Sequence, residues 1–190
     1  MQTRLPILHE TLLSYDIKTR DVLAINEDVY TSLINYLSKE HVSRTAQSYL
    51  IVGESGSGKT FLMKRLYSRI KSDMGNTLYP VVIEGKTLFS TDDIWTQCVQ
   101  LLNIEQGDEE CFDAILGWQE LNSRRIVLFI DNIQYYFERI DNAGQYGLRG
   151  KLNRRGSPIL IASSERVLPA FTEYDAAFFC LLYTSPSPRD

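Results

Sequence analysis

Residues 53 to 60 read Gly53-Glu54-Ser55-Gly56-Ser57-Gly58-Lys59-Thr60. Glycine at the first and sixth places, lysine at the seventh and a hydroxyl at the eighth make a loop that can wrap an oxyanion. Glycines permit positive φ and let backbone N–H groups turn inward with no Cβ in the way. Lys59 adds a point charge suited to β- and γ-phosphates. The Thr60 hydroxyl suits a hard divalent cation, Mg²⁺. A helix starting at this point aims its positive dipole end at the same anion. The expected nucleotide contacts are therefore Gly53, Glu54, Ser55, Gly56, Ser57, Gly58, Lys59, Thr60 and Phe61.

Such a loop works only between a strand and a helix, and the flanks provide both. Ser48-Tyr49-Leu50-Ile51-Val52 is a buried-strand run, and Phe61, Leu62, Leu66 and Ile70 repeat at helical spacing. A second acid-bearing strand lies further on. Ile126-Val127-Leu128-Phe129-Ile130 is continuously apolar, the mark of a strand buried on both faces, and Asp131 stands at its carboxyl end. In parallel α/β sheets ligands bind at carboxyl ends of strands. Asp131 is expected to join Thr60 in holding Mg²⁺; the alternative role is a helix cap. Ser163 and Ser164 follow the run Pro158-Ile159-Leu160-Ile161-Ala162. Their hydroxyls suit a γ-phosphate or attacking water, or equally a turn or cap.

The remaining elements are those needed to carry these strands. Asn26 can cap a helix from about Glu27 to Ser38, and residues 1–25 form a leader. Gly75-Asn76 marks a turn before a strand from Tyr79 to Glu84. Pro80 predicts that this strand lies at a sheet edge, because proline cannot donate to a ladder. Ser90 or Thr91 is expected to cap a helix through Leu102. A second helix runs from about Glu109 to Leu121, and a helical stretch leads from the third strand to Asn153. Helices alternating with strands predict a parallel α/β sheet.

Composition narrows the class. A chain of 190 residues with 44% hydrophobic and 23% charged residues can build one real core. A net charge of −4 gives no broad reason to bind nucleic acid or an anionic membrane. Arg149, Lys151, Arg154 and Arg155 form a local basic run, read as a solvated helix end. Cys98 and Cys111 lack metal-ligand spacing, which fits a reducing, cytoplasmic setting. Tyr135, Tyr136 and Phe137, like Trp95 and Trp118, are read as packing residues rather than base-stacking ones.

The loop at 53–60, the run Ile126 to Gln134 and the polar-ended strand at 158–164 resemble the Walker A, Walker B and sensor 1 elements of an AAA+ ATPase. Asp131-Asn132-Ile133-Gln134 is similar to the bacterial replication initiator. The opening Ser90-Thr91-Asp92-Asp93-Ile94 resembles the origin-recognition branch. The resemblance covers about residues 20 to 175, with an incomplete domain expected over 26–179. It implies a P-loop NTPase three-layer sandwich with parallel sheet order 5-1-4-3-2, ATP and Mg²⁺ as ligands, and ATP hydrolysis coupled to a partner. It also implies a DNA or protein partner reached through later regions, and an oligomer of the full-length protein; no membrane association is expected.

Three departures qualify that picture. Asn132 stands where many such ATPases carry a glutamate that polarises water; an amide orients water but takes no proton, so slow turnover is expected. Catalysis is assigned to Lys59, Asp131 and Asn132 with Ser163 or Ser164. In the stretch after sensor 1, Glu165 to Phe179, Arg166 is the only arginine and lies very close to the strand, so no arginine finger is evident. Residues 180–190, Cys180 to Asp190, resemble the conceptual translation of a transposase adapter used in sequencing libraries. That resemblance implies natural sequence ending near Phe179, with the fifth strand and helical lid missing and the first strand left on an exposed edge. Two other functions remain open: an ATP-controlled switch with little hydrolysis, and a small-molecule kinase, for which no acceptor site or lid is traceable.

Overall fold

The computed structural model describes residues 27–40, 47–105, 107–168 and 180–184. The leader at 1–25, the Asn26 cap and the run Ala176 to Phe179 lie outside the described residues. In chain order the elements are α1 (Glu27–Glu40), β1 (Tyr49–Val52), α2 (Lys59–Asp73), β2 (Leu78–Glu84), α3 (Asp93–Leu101), α4 (Cys111–Asn122), β3 (Arg125–Asp131), α5 (Gln134–Phe137), α6 (Asn142–Leu152), β4 (Ile159–Ser164) and β5 (Cys180–Thr184).

Side-chain alternation on β3 sets the layers. Ile126, Leu128 and Ile130 enter one core with residues of α3, α4, α5 and α6. Val127 and Phe129 enter another, with Val29, Leu33 and Leu37 of α1 and Leu62, Met63, Leu66 and Ile70 of α2. A strand with period two that is apolar at every position must be covered on both faces. The result is a three-layer α/β/α sandwich with the sheet between two helical layers.

The strand order is β2-β3-β4-β1-β5, the 5-1-4-3-2 order expected. All the pairings are parallel. Among the described residues β2 is an edge strand, paired to β3 alone, which accommodates Pro80 opposite Val127. β1 and β3, which lead to the glycine-rich loop and to Asp131, are separated by β4.

The expectation of a missing fifth strand is corrected. Cys180–Thr184 pairs in parallel with β1, with Tyr49 opposite Cys180 and Val52 opposite Thr184, and a register shift between Leu50 and Ile51. The edge expected to be bare is therefore covered. Unpaired N–H and C=O groups along a buried strand accept any chain segment of sufficient length, and Cys-Leu-Leu-Tyr-Thr is one.

Three local expectations also change. The helical stretch after β3 is two helices, broken at 138–141, and Asp141 caps the second by accepting the Gly144 N–H at 2.8 Å. The residue before α3 is Asp92 rather than Ser90 or Thr91, and the Asp93 carboxylate accepts the Phe89 and Ser90 N–H groups. Ser163 and Ser164 lie within β4, opposite Ile51 and Val52, rather than after it.

Trp95, Tyr136 and Phe137 are buried, and Tyr79 packs edge-on against Trp118; these aromatics are packing residues. Tyr135 is half-buried beneath the Lys86 ammonium. The basic run is not simply solvated. Lys151 pairs with Asp92 and Arg154 with Asp113, tying α6 to the α3–α4 layer.

Candidate functional site

The loop between β1 and α2 has the conformation its glycines permit. Gly56 and Gly58 adopt φ of 83° and 87°, the left-handed region closed to most side chains. The Ser57 N–H bonds the Glu54 carbonyl at 3.1 Å, closing the loop on itself, and the Gly53 N–H bonds the Ser164 carbonyl at 3.1 Å, fixing the loop to β4. Glu54, Ser55 and Gly56 are exposed at its crest, while Ser57, Gly58 and Phe61 are half-buried. Lys59 begins α2 and is buried. Its Nζ donates to the carbonyls of Gly53 at 2.6 Å and Glu54 at 2.8 Å, and approaches Ser57 Oγ at 3.5 Å. Burial lowers the Lys59 pKa below its ordinary value, opposed by the negative charges of Glu165 and Asp131.

The glycine-rich loop and the end of β3 meet directly. Thr60 Oγ1 donates to Asp131 Oδ2 at 2.8 Å, across 71 residues of sequence. The other carboxylate oxygen accepts from Ser163 Oγ. Ser163 Oγ in turn accepts the Asn132 backbone N–H at 3.0 Å, and the Ser163 carbonyl accepts the Ile133 N–H at 2.9 Å. Ser163 is fully buried. It fastens the end of β3 to β4 and orients the Asp131 carboxylate. Ser164 acts differently. Its hydroxyl bonds the Arg166 backbone N–H and carbonyl, the turn role. The Arg166 guanidinium is paired with Glu138.

A hydroxyl beside a carboxylate, next to a loop that can cradle phosphate, is a suitable oxygen donor set for Mg²⁺. Thr60 and Asp131 would hold that ion, and Lys59 with the loop amides would hold the phosphates. The residues present fit both groups.

Sequence reading missed one residue here. Glu84 ends β2 in register with Asp131, and the Asn132 side chain donates to its Oε1 from Nδ2 at 3.0 Å. Burial raises the Glu84 pKa, the Asn132 bond pulls it down, and the Asp131 charge adds to the rise. The signal was present in the chain: an acid closing a hydrophobic strand, as at Asp131. What sequence could not supply was the pairing that places the two acids side by side.

The backbone enforces this contact. Asn132 has φ of 57°, a left-handed conformation that asparagine tolerates better than most residues. A Cβ on Gly85 would lie 2.4 Å from the Asn132 carbonyl oxygen. Gly85→Ala is therefore expected to force the β2 and β3 ends apart, at a cost of about 1–3 kcal/mol. Urea unfolding checks this, and an unchanged midpoint would show that the junction yields freely.

Fold and site together define a P-loop nucleotide-binding domain: a parallel sheet with a glycine-rich phosphate loop after its first strand and an acid at the end of the strand two places away. The AAA domain family matches residues 42–152, and the chain belongs to that family of nucleotide-binding ATPase modules. No curated protein matches. Solved structures share the fold. The ORC2 protein of Aeropyrum pernix, in ADPNP–ADP complexes, superposes with a TM-score of 0.65 at 17% identity, covering 85% of this chain and 48% of that one. Cdc6p of Pyrobaculum aerophilum gives 0.62 at 14% identity, covering 90% and 48%. The ORC1 protein of A. pernix in complex with DNA gives 0.63 at 17% identity, covering 92% and 48%. The chain thus spans about half the length of these structures. Among the described residues no helix is long and apolar enough to cross a membrane.

Proposed function

We propose that the chain binds ATP with Mg²⁺ and hydrolyses it, coupling nucleotide state to a partner through other parts of the protein. The observation that carries this reading is the Thr60–Asp131 hydrogen bond, which joins the two phosphate-site motifs. Lys59, which donates to the Gly53 and Glu54 carbonyls, would exchange them for β- and γ-phosphate oxygens. Thr60 and Asp131 would hold Mg²⁺, which supplies neutralisation of the phosphate charge when bound. Ser163 keeps the Asp131 carboxylate oriented. Asn132 would help place the attacking water.

The partner follows from the relatives only by analogy. ORC1 of A. pernix was solved with DNA, so DNA is the first partner to test, and the cytoplasm is the proposed setting. A second reading is favoured by Asn132: a switch that binds ATP and scarcely hydrolyses it. One experiment separates them. Purified chain is mixed with radiolabelled ATP in Mg²⁺ or EDTA, and bound nucleotide and released phosphate are measured. Binding with Mg²⁺-dependent phosphate release is the expected result. Binding without release would select the switch, and no binding would overturn both.

A further inference from the structure

We propose that Glu84 supplies the carboxylate that activates the attacking water, and that Asn132 orients it. This rests on the ATPase reading above. It assigns a role to a residue outside the phosphate-loop and Walker B segments and supplies the proton acceptor that Asn132 cannot be.

Four features of the chain carry the assignment. The first is register: Glu84 and Asp131 are paired partners at the carboxyl ends of adjacent parallel strands, where α/β sheets bind ligands. The second is direct contact. Asn132, which occupies the position next to the metal-site acid, spends its side-chain N–H on Glu84 Oε1 at 3.0 Å. The third is connectivity. Glu84, Asn132, Ser163, Asp131 and Thr60 form one chain of linked groups running from β2 to the phosphate loop: through Asn132 Nδ2, the Asn132 backbone N–H, Ser163 Oγ and the Asp131 carboxylate. The fourth is backbone design. Gly85 lets the segment after Glu84 lie directly against the Asn132 carbonyl, where any Cβ would collide, and Asn132 itself is left-handed. Sparsely populated conformations persist where the surroundings over-determine them, and they gather at functional sites.

A purely structural role accounts for less. A half-buried carboxylate beside Asp131 places like charges together and loses hydration, both unfavourable. Glutamine at 84 would accept the same Asn132 hydrogen bond with neither cost. What glutamine lacks is the ability to take a proton.

In the proposed step the water oxygen forms a bond to the γ-phosphorus while the bond from that phosphorus to the β–γ bridging oxygen breaks. The bonding electron pair leaves on ADP, and the water proton passes to the Glu84 carboxylate. Glu84 later returns that proton to solvent or to the released phosphate. No oxidant or reductant is involved.

The test uses the full chain and Glu84→Gln, which keeps the shape and the Asn132 contact. Three quantities are measured: affinity for a fluorescent ATP analogue, single-turnover phosphate release with Mg²⁺, and the infrared carboxylate bands on adding a non-hydrolysable ATP analogue. The variant is expected to bind within about twofold of wild type. Its single-turnover rate is expected to fall about 100-fold or more, the range for a lost general base. Wild type should show an ATP-dependent carboxylate band that the variant lacks. The exchanged pair Glu84→Asn with Asn132→Glu should recover part of the lost rate, because it returns one carboxylate and one amide to the same contact. A Glu84→Gln chain that turns over within about twofold of wild type overturns the assignment and leaves the ATPase reading intact. Wild type that binds ATP without cleaving it overturns the assignment and selects the switch. Wild type that fails to bind the analogue overturns the phosphate-loop reading as well.

Discussion

Replacing Lys59 by alanine is expected to weaken ATP binding by about 2–5 kcal/mol, roughly 30-fold to several-thousand-fold. The reason lies in how the ammonium is held. It is buried and donates to two loop carbonyls. Its dehydration has thus been met during folding, and what remains for ATP is an exchange of carbonyl oxygens for phosphate oxygens. Removing it leaves concentrated phosphate charge facing backbone amides and metal alone. Lys59→Arg should not rescue binding, because a planar fork is a poor substitute for a compact charge in a closed loop. The control is the unliganded fold. Gly56 and Gly58 set the loop through their own φ values, so circular dichroism of the variant should remain that of wild type. A folded Lys59→Ala chain with unchanged affinity for a fluorescent ATP analogue would mean that the loop at 53–60 does not bind phosphate.

How much of this was legible in the chain depends on the range of the signal. The phosphate loop was readable because its requirement is local: glycines at two positions that need positive φ, next to a lysine and a threonine. β3 was readable because both faces are covered, which makes its run from Ile126 to Ile130 continuously apolar. Pro80 placed β2 at an edge through one missing N–H, and the observed strand order agrees. Glu84 was not legible as a site residue. It is 48 residues from its hydrogen-bond partner Asn132, and only strand register brings them together. The extent of β4 was underestimated for a related reason. Ser163 and Ser164 look like loop residues by type, yet their backbones continue the ladder with β1. The side chain of Ser163 is polar because it faces Asp131, not water. The fifth strand was misjudged because pairing with β1 is decided by backbone groups, which the origin of a sequence does not alter.

The last expectation concerns Asp131, where loss of charge and loss of structure can be separated. Asp131 accepts from Thr60 on one oxygen and from Ser163 on the other. Ser163 is fully buried, so Asp131→Ala leaves its hydroxyl without this acceptor and should cost about 1–3 kcal/mol of stability. Asp131→Asn keeps an oxygen and nearly the same volume, so it should melt close to wild type. Both variants remove the carboxylate from the proposed metal site. Each is therefore expected to lose Mg²⁺-dependent turnover by about 100- to 1000-fold, the scale for removing one preorganised electrostatic group. Nucleotide affinity measured in EDTA should change little, since the loop amides and Lys59 remain. The pattern to look for is a melting temperature that distinguishes the two variants and a turnover rate that does not. If Asp131→Asn hydrolysed ATP like wild type, the carboxylate would be a strut between β3 and β4, and the metal role would pass to another acid. Glu84, its neighbour in register, would be the first candidate, and the proton-acceptor role proposed for it would then have to be given up.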